Sequence, residues 1–157
     1  MWQRAMGVIA VMSGSLMSVI EVCGQTLQYV VAELSSDDAT RASCKLNNYG
    51  DIAGRADSAL QGAPRAIFWN RSNLKSKHLP TLVGSDYSSA FDINDAGEIV
   101  GVVNTDRAMV PFIWNARVGL SRIPLLPGDS CGQAVAINKH GDVAGYSSGD
   151  TGMRAFL

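Results

Sequence analysis

The chain has 157 residues, 46% of them hydrophobic and 17% charged, with a formal net charge of −1. That is enough apolar material for one domain with a buried core. Lys and Arg are scattered singly, Lys75 and Lys77 coming closest to a cluster, so nothing in the charge pattern argues for nucleic acid or an anionic membrane surface as a partner.

The N-terminus differs from the rest. Arg4 precedes an uncharged run, Ala5 to Ile20, broken only by small polar residues such as Ser13-Gly14-Ser15, and Glu21-Val22-Cys23-Gly24-Gln25 follows. A basic start, a short apolar run and small residues at Val22 and Gly24 predict a secretory signal peptide over 1–24, cleaved after Gly24. The run is short for a spanning helix. Lipid attachment at Cys23 is disfavoured by Ile20-Glu21-Val22, and an uncleaved anchor is the other alternative. The expected location is secreted, periplasmic or cell-surface. Two cysteines then remain, Cys44 and Cys131. An oxidising compartment permits a bond between them, but they occupy different places in the repeat, which therefore does not imply pairing.

Residues 25–157 read as a β-repeat domain. Gln28 to Leu34 alternates like a strand. Asn47-Asn48-Tyr49-Gly50-Asp51-Ile52-Ala53-Gly54 then returns as Asn94-Asp95-Ala96-Gly97-Glu98-Ile99-Val100-Gly101 and as Asn138-Lys139-His140-Gly141-Asp142-Val143-Ala144-Gly145. After the turn, Ala66-Ile67-Phe68-Trp69-Asn70 matches Pro111-Phe112-Ile113-Trp114-Asn115, and Ala155-Phe156-Leu157 begins a third copy. Leu79-Pro80-Thr81-Leu82 matches Ile123-Pro124-Leu125-Leu126 as a fourth element. The lead-in Ser89-Ala90-Phe91-Asp92-Ile93 matches Gln133-Ala134-Val135-Ala136-Ile137 and, more weakly, Ser43-Cys44-Lys45-Leu46.

Four short segments between turn residues, with no apolar period of 3.6, predict antiparallel strands. The repeats run over about 42–88, 89–132 and an incomplete 133–157. Gly50, Gly97 and Gly141 take the left-handed position of a four-residue hairpin loop. No helix pattern follows them, so they are not phosphate-cradling glycines.

The expected fold is all-β: four-stranded antiparallel repeats of about 45 residues in a β-propeller-like array, partial or open, of about three blades. Trp69 and Trp114 would lie between neighbouring sheets. A packed ring needs at least about four blades. Three accounts follow: a segment of a longer repeat protein (ranked first), a homodimer sharing a ring, or an open arc. The strand at Gln28–Leu34 is suited to complete the third blade.

The combined motif, Ala-x-x-Ile-Asn-x-x-Gly-[Glu/Asp]-[Ile/Val]-[Val/Ala]-Gly followed by Phe-Ile-Trp and [Leu/Ile]-Pro-x-Leu, resembles the bacterial HAF-type repeats, the probable extracellular repeat family. Ala90 to Gly128 matches best. The first copy departs at Ser43-Cys44-Lys45-Leu46, and the third has no tryptophan. The resemblance implies secretion or surface display on a repeat-built β structure. It implies no catalytic residues.

Three constellations invite chemistry. Gly128-Asp129-Ser130-Cys131-Gly132 has the spacing of a hydrolase nucleophile elbow. The elbow requires a strand before, a helix after and a histidine base. Pro127 precedes it, a strand pattern follows, and it aligns with the inter-repeat loop Gly84-Ser85-Asp86. The histidines are His78 and His140, the latter at a turn position. Asp92-Ile93-Asn94-Asp95-Ala96-Gly97-Glu98 superficially resembles a calcium loop, but Val103 stands where the distal acid belongs and Lys45 and Ala136 replace Asp92. His and Cys spacing gives no zinc site. Asn70-Arg71-Ser72 matches a glycosylation acceptor, a coincidence in a bacterial repeat. Tyr49, Tyr87 and Tyr146 lie near turns and are candidates for a recognition face.

No catalytic, cofactor or metal residue is assigned. The expectation is a non-catalytic interaction or surface scaffold with a protein or glycan partner. The alternatives are a small-ligand or carbohydrate-binding module and, last, a hydrolase using Ser130.

Overall fold

A computed structural model describes the backbone of 17–22 and 25–30, and residues 45–56, 63–72 and 75–157. Arg4, Cys23, Gly24, Val31 to Leu34 and Cys44 lie outside the described residues, and with them the cleavage site and any Cys44–Cys131 pairing. The chain divides into two units, Met1–Glu33 and Leu34–Leu157. In the first, β1 (Met17–Val22) pairs antiparallel with β2 (Gln25–Val30), with Val22 opposite Gln25. The described part of the strand expected at Gln28–Leu34 thus belongs to a hairpin with β1, and not to the third repeat sheet.

The second unit is all-β. Its first sheet is β3 (Lys45–Leu46), β4 (Ile52–Ala56), β5 (Arg65–Trp69) and β6 (Ser76–His78). The second is β7 (Tyr87–Ile93), β8 (Ile99–Asn104), β9 (Met109–Asn115) and β10 (Gly119–Arg122). The third is β11 (Asp129–Ile137), β12 (Val143–Gly149) and β13 (Gly152–Phe156). Each is an antiparallel meander in chain order, so every connection is a hairpin, and the three sheets form no closed ring among the described residues.

The fourth strand differs in place from the expectation. It ends just before Leu79-Pro80 and Ile123-Pro124. Leu79 and Ile123 each donate one last bond, to Ala66 O and Pro111 O at 2.9 Å, and the following proline has no N–H to continue the ladder.

Register repeats with the sequence. Gly54 lies opposite Ile67, Gly101 opposite Phe112 and Gly145 opposite Phe156. The last glycine of the motif has a steric cause. A bulge leaves Phe91 unpaired between Ala90 and Asp92, and another leaves Val135 unpaired between Ala134 and Ala136. The bulged backbone presses on the glycine: a Cβ on Gly101 would lie 2.0 Å from Ser89 O, and one on Gly145 2.2 Å from Gln133 O.

The sheets stack through apolar faces. Trp114, Phe112, Ile99 and Val103 pack on Ala53, Ala66 and Leu79 of the first repeat. The Trp114 ring meets Phe68 at 5.9 Å and 42°, and Lys77 Nζ lies 5.8 Å from its centroid. The tryptophan therefore covers the preceding sheet. On its other side the second sheet buries Val100 against Ala134 and Ile137. Trp69, Ile67 and Ala56 form a separate buried cluster.

Candidate functional site

Each sheet has two ends, and the repeated motif occupies one of them. In its turn Asn47 N donates to Asp51 O and Gly50 N to Asn47 O, both at 3.0 Å; the same pair of bonds closes the turns at Asn94 and Asn138. These are three-residue loops with glycine at φ +82°, +75° and +88°, one residue shorter than the loop expected from sequence.

The asparagine side chain holds the turn and then reaches beyond it. Oδ1 accepts the N–H four residues on, from Asp51 (2.9 Å), Glu98 (2.9 Å) and Asp142 (3.0 Å). Nδ2 donates to the carboxylate of the same residue, at 3.4, 2.7 and 2.8 Å, which accounts for the acid after the glycine. The second Nδ2 hydrogen crosses to the next sheet: Asn47 donates to Asn94 O at 3.2 Å and Asn94 to Asn138 O at 3.1 Å. Those bonds span 47 and 44 residues, the repeat spacings themselves. Asn47 and Asn94 are each 5% exposed, whereas Asn138 is exposed.

Further bonds tie neighbouring sheets. Asn48 N and Nδ2 grip the two oxygens of Asp95 at 2.9 and 2.8 Å, and the side-chain bond from Asn48, then the backbone one, hold that carboxyl below the usual range. Ile137 N donates to Asp92 Oδ2 at 2.9 Å. Ala66 N donates to Ser88 Oγ, and Ser88 N to Pro64 O, both at 2.9 Å. Asp92, Asp95 and Glu98 thus each serve a different N–H contact and do not converge as a cation cage.

The elbow-like segment is also structural at its aspartate. Only Gly128 lies in the turn, at φ +86°, and β11 begins at Asp129, so Asp129 to Gly132 are strand residues where a loop was expected. Arg154 Nη2 donates to Asp129 Oδ1 and to Pro127 O, both at 2.7 Å, and Ser147 Oγ donates to Asp129 Oδ2. The Asp129 side chain is inaccessible, and the Arg154 bond foremost, then Ser147, holds its carboxyl below the ordinary value. Cys131 Sγ lies 3.7 Å from Ser148 O.

Other sequence candidates scatter. His140 N donates to Asn138 Oδ1 within its turn, and His78 ends β6. Asn70 Oδ1 accepts Ser72 N at 2.9 Å and the Ser72 hydroxyl, an Asx turn. Tyr49 lies exposed in the first motif turn, Tyr87 accepts from Arg55 Nη1 at 3.3 Å at the opposite end of its sheet, and Tyr146 lies mid-strand in β12. They share no recognition face.

At the end away from the motif turns, a cleft of about 580 Å³ opens between the second and third repeats. Val83 and Gly84, the β8–β9 turn Thr105 to Ala108, Arg122 to Leu125 and Ser130 line it. Val83 is fully exposed, Arg107 and Arg122 are exposed, and Asp106 borders Gly84. The lining combines apolar Val83, Ile123, Pro124 and Leu125 with Arg107, Arg122 and Asp106, which suits a ligand carrying both apolar groups and negative charge. Ser130 reaches this cleft, but no histidine lines it. Sequence reading missed these residues as a group because they come from one hairpin turn, Thr105 to Ala108, and two inter-sheet connections, which are far apart in the chain. Comparison with protein-family models, with curated proteins and with solved structures finds no match to this chain.

Proposed function

We propose that this chain is a non-catalytic interaction scaffold of the bacterial cell envelope or exterior, its sheets arranged as blades of an open, propeller-like array. One observation carries the reading: the repeated signature is spent on joining sheet to sheet, while the accessible cleft is built from loops at the other end. That division of labour suits a scaffold that presents variable loops from a fixed body. The resemblance of the motif to HAF-type repeats and the leader-like residues 1–24 support the location.

Two measurements test it. Residues 1–24 fused to an alkaline phosphatase reporter that folds only after export are expected to give active reporter. The labelled chain is expected to bind envelope preparations of the producing bacterium saturably, and Arg107→Glu with Arg122→Glu to weaken that binding about tenfold or more without lowering thermal stability. Unchanged binding after charge reversal, or an inactive fusion, would count against the proposal. The cleft favours one second reading, a small anionic-ligand module; a carbohydrate platform loses support because the tyrosines lie apart. Hydrolysis of a chromogenic ester above the Ser130→Ala background would overturn both.

A further inference from the structure

Several arginines serve the fold: Arg154 grips Asp129 and Pro127 O, Arg71 donates to Tyr49 O and Arg55 to the Tyr87 hydroxyl. Arg107 and Arg122 do not. Both are exposed at the cleft, and neither guanidinium makes a hydrogen bond or ion pair with a described residue. Asp106 is the one acid among the lining residues and no Lys, Glu or His joins it, so two cations face one anion.

The ladder does not demand this composition, because the first repeat builds the same one with other residues. Arg122 lies opposite Phe112 as His78 lies opposite Ile67. Leu125 corresponds to Thr81, and Ser130 to Asp86. The second junction thus has a permanent cation for a histidine, an apolar side chain for a hydroxyl, and a neutral residue for an acid. Each exchange favours an occupant that is both apolar and negatively charged.

Openness decides what kind of occupant. A small-ligand pocket encloses most of its ligand. None of the described residues lining this cleft is buried, and Val83 is fully exposed. A small anion here would keep its apolar part half in water. A chain segment laid along the cleft covers the apolar lining with its own backbone and side chains while its carboxylates meet the arginines. We infer that the cleft docks an extended segment of a partner protein in which acidic residues stand beside apolar ones. Arg107 and Arg122 take the carboxylates, and Val83, Ile123 and Leu125 the apolar side chains. The inference rests on the scaffold reading and names the chemistry of the scaffold's partner.

The test is fluorescence anisotropy of a labelled, end-capped peptide alternating glutamate and leucine, titrated with the full chain at pH 8. Saturable binding is expected, with a dissociation constant on the order of 100 µM that rises with salt. Peptides with glutamine for glutamate, or serine for leucine, are expected to bind about tenfold more weakly or worse. Arg122→His with Leu125→Thr, the residue types of the first repeat at the matched positions, is expected to cost about tenfold as well. Should that variant lose its circular dichroism, Arg107→Gln in the exposed β8–β9 turn replaces it. Arg117→Ala removes a cation from the β9–β10 turn, at the other end of the sheet, and is expected to leave binding unchanged. No binding below about 1 mM, equal binding of the glutamine peptide, or indifference to the cleft variants overturns the inference. So does octanoate that displaces the peptide at equal affinity, which gives the cleft to small amphiphilic anions. Charge-dependent envelope binding without peptide binding removes this inference and leaves the scaffold reading; peptide binding that persists where export and envelope binding fail does the reverse.

Discussion

Replacing Asn94 by Ala is the most direct probe of the cross-sheet bonding. The change removes an acceptor from Glu98 N–H at 2.9 Å and two donors, one to Glu98 Oε2 at 2.7 Å and one to Asn138 O at 3.1 Å. Asn94 is 5% exposed, so water does not readily replace the lost partners. Two buried bonds at about 1–1.5 kcal/mol each, and a smaller share for the carboxylate bond because half-buried Glu98 is readily resolvated, sum to about 3 kcal/mol. The control is Asn138→Ala, which removes the same kind of turn bonds, to His140 N, Asp142 N and Asp142 Oδ2, at an exposed position with no cross-sheet side-chain bond among the described residues. Its expected cost is about 1 kcal/mol. Urea titration followed by both tryptophan fluorescence and circular dichroism separates the two. At a slope of about 1.5 kcal/mol/M the Asn94 variant shifts the midpoint by about 2 M, the Asn138 variant by less than 1 M. Equal costs, within about 0.5 kcal/mol, would mean that the asparagine only shapes its own turn, and would refute the cross-sheet argument.

Asn94→Asp keeps the acceptor but loses both Nδ2 donors and sets a carboxylate against Glu98; it is expected to destabilise at least as much as alanine at pH 7, read by the urea midpoint. Gly101→Ala is expected to prevent normal folding, since its Cβ would meet Ser89 O at 2.0 Å, while Gly97→Ala, at φ +75° with open space around it, costs about 1 kcal/mol; thermal unfolding of both checks the contrast. Arg154 holds the Asp129 carboxyl below its unfolded value, so the pair contributes stability above the ordinary aspartate range, near pH 4, that is lost as pH falls through the depressed value. Arg154→Leu is expected to lower stability at pH 7 and to flatten its decline between pH 4 and pH 2; an unchanged decline would show that Asp129 does not set it.

The motif made the hairpins legible because its residue types have local causes: asparagine holding the turn, glycine at positive φ, apolar residues alternating after it. The distal glycines were harder, since Gly101 is required by the bulge at Phe91 on a neighbouring strand, which no spacing within the motif reveals. The cross-sheet use of Asn47 and Asn94 was likewise hidden. A turn asparagine and a cross-sheet asparagine have the same sequence signature and differ only in what their second amide hydrogen meets. Gly128 to Gly132 showed the opposite problem, a chemical pattern whose aspartate is held by Arg154 and Ser147. The cleft was not legible as a group, because Val83, Arg107 and Arg122 are distant in the chain and line one cleft only when the sheets stack.

The spacing between successive turn asparagines shrinks by three residues from the first interval to the second, yet the cross-sheet bond hardly changes, from 3.2 to 3.1 Å. Eight residues lie between paired Ala56 and Arg65 but six between Val103 and Val110, and ten between Ile67 and His78 but nine between Phe112 and Arg122. Every length change falls in the β4–β5 and β5–β6 connections or their counterparts, and none in the motif turn. Such a chain can absorb insertions and new loop sequences in those connections while its sheet-joining turns stay constant. Duplication followed by loop drift is therefore an inexpensive route to new binding properties in this architecture.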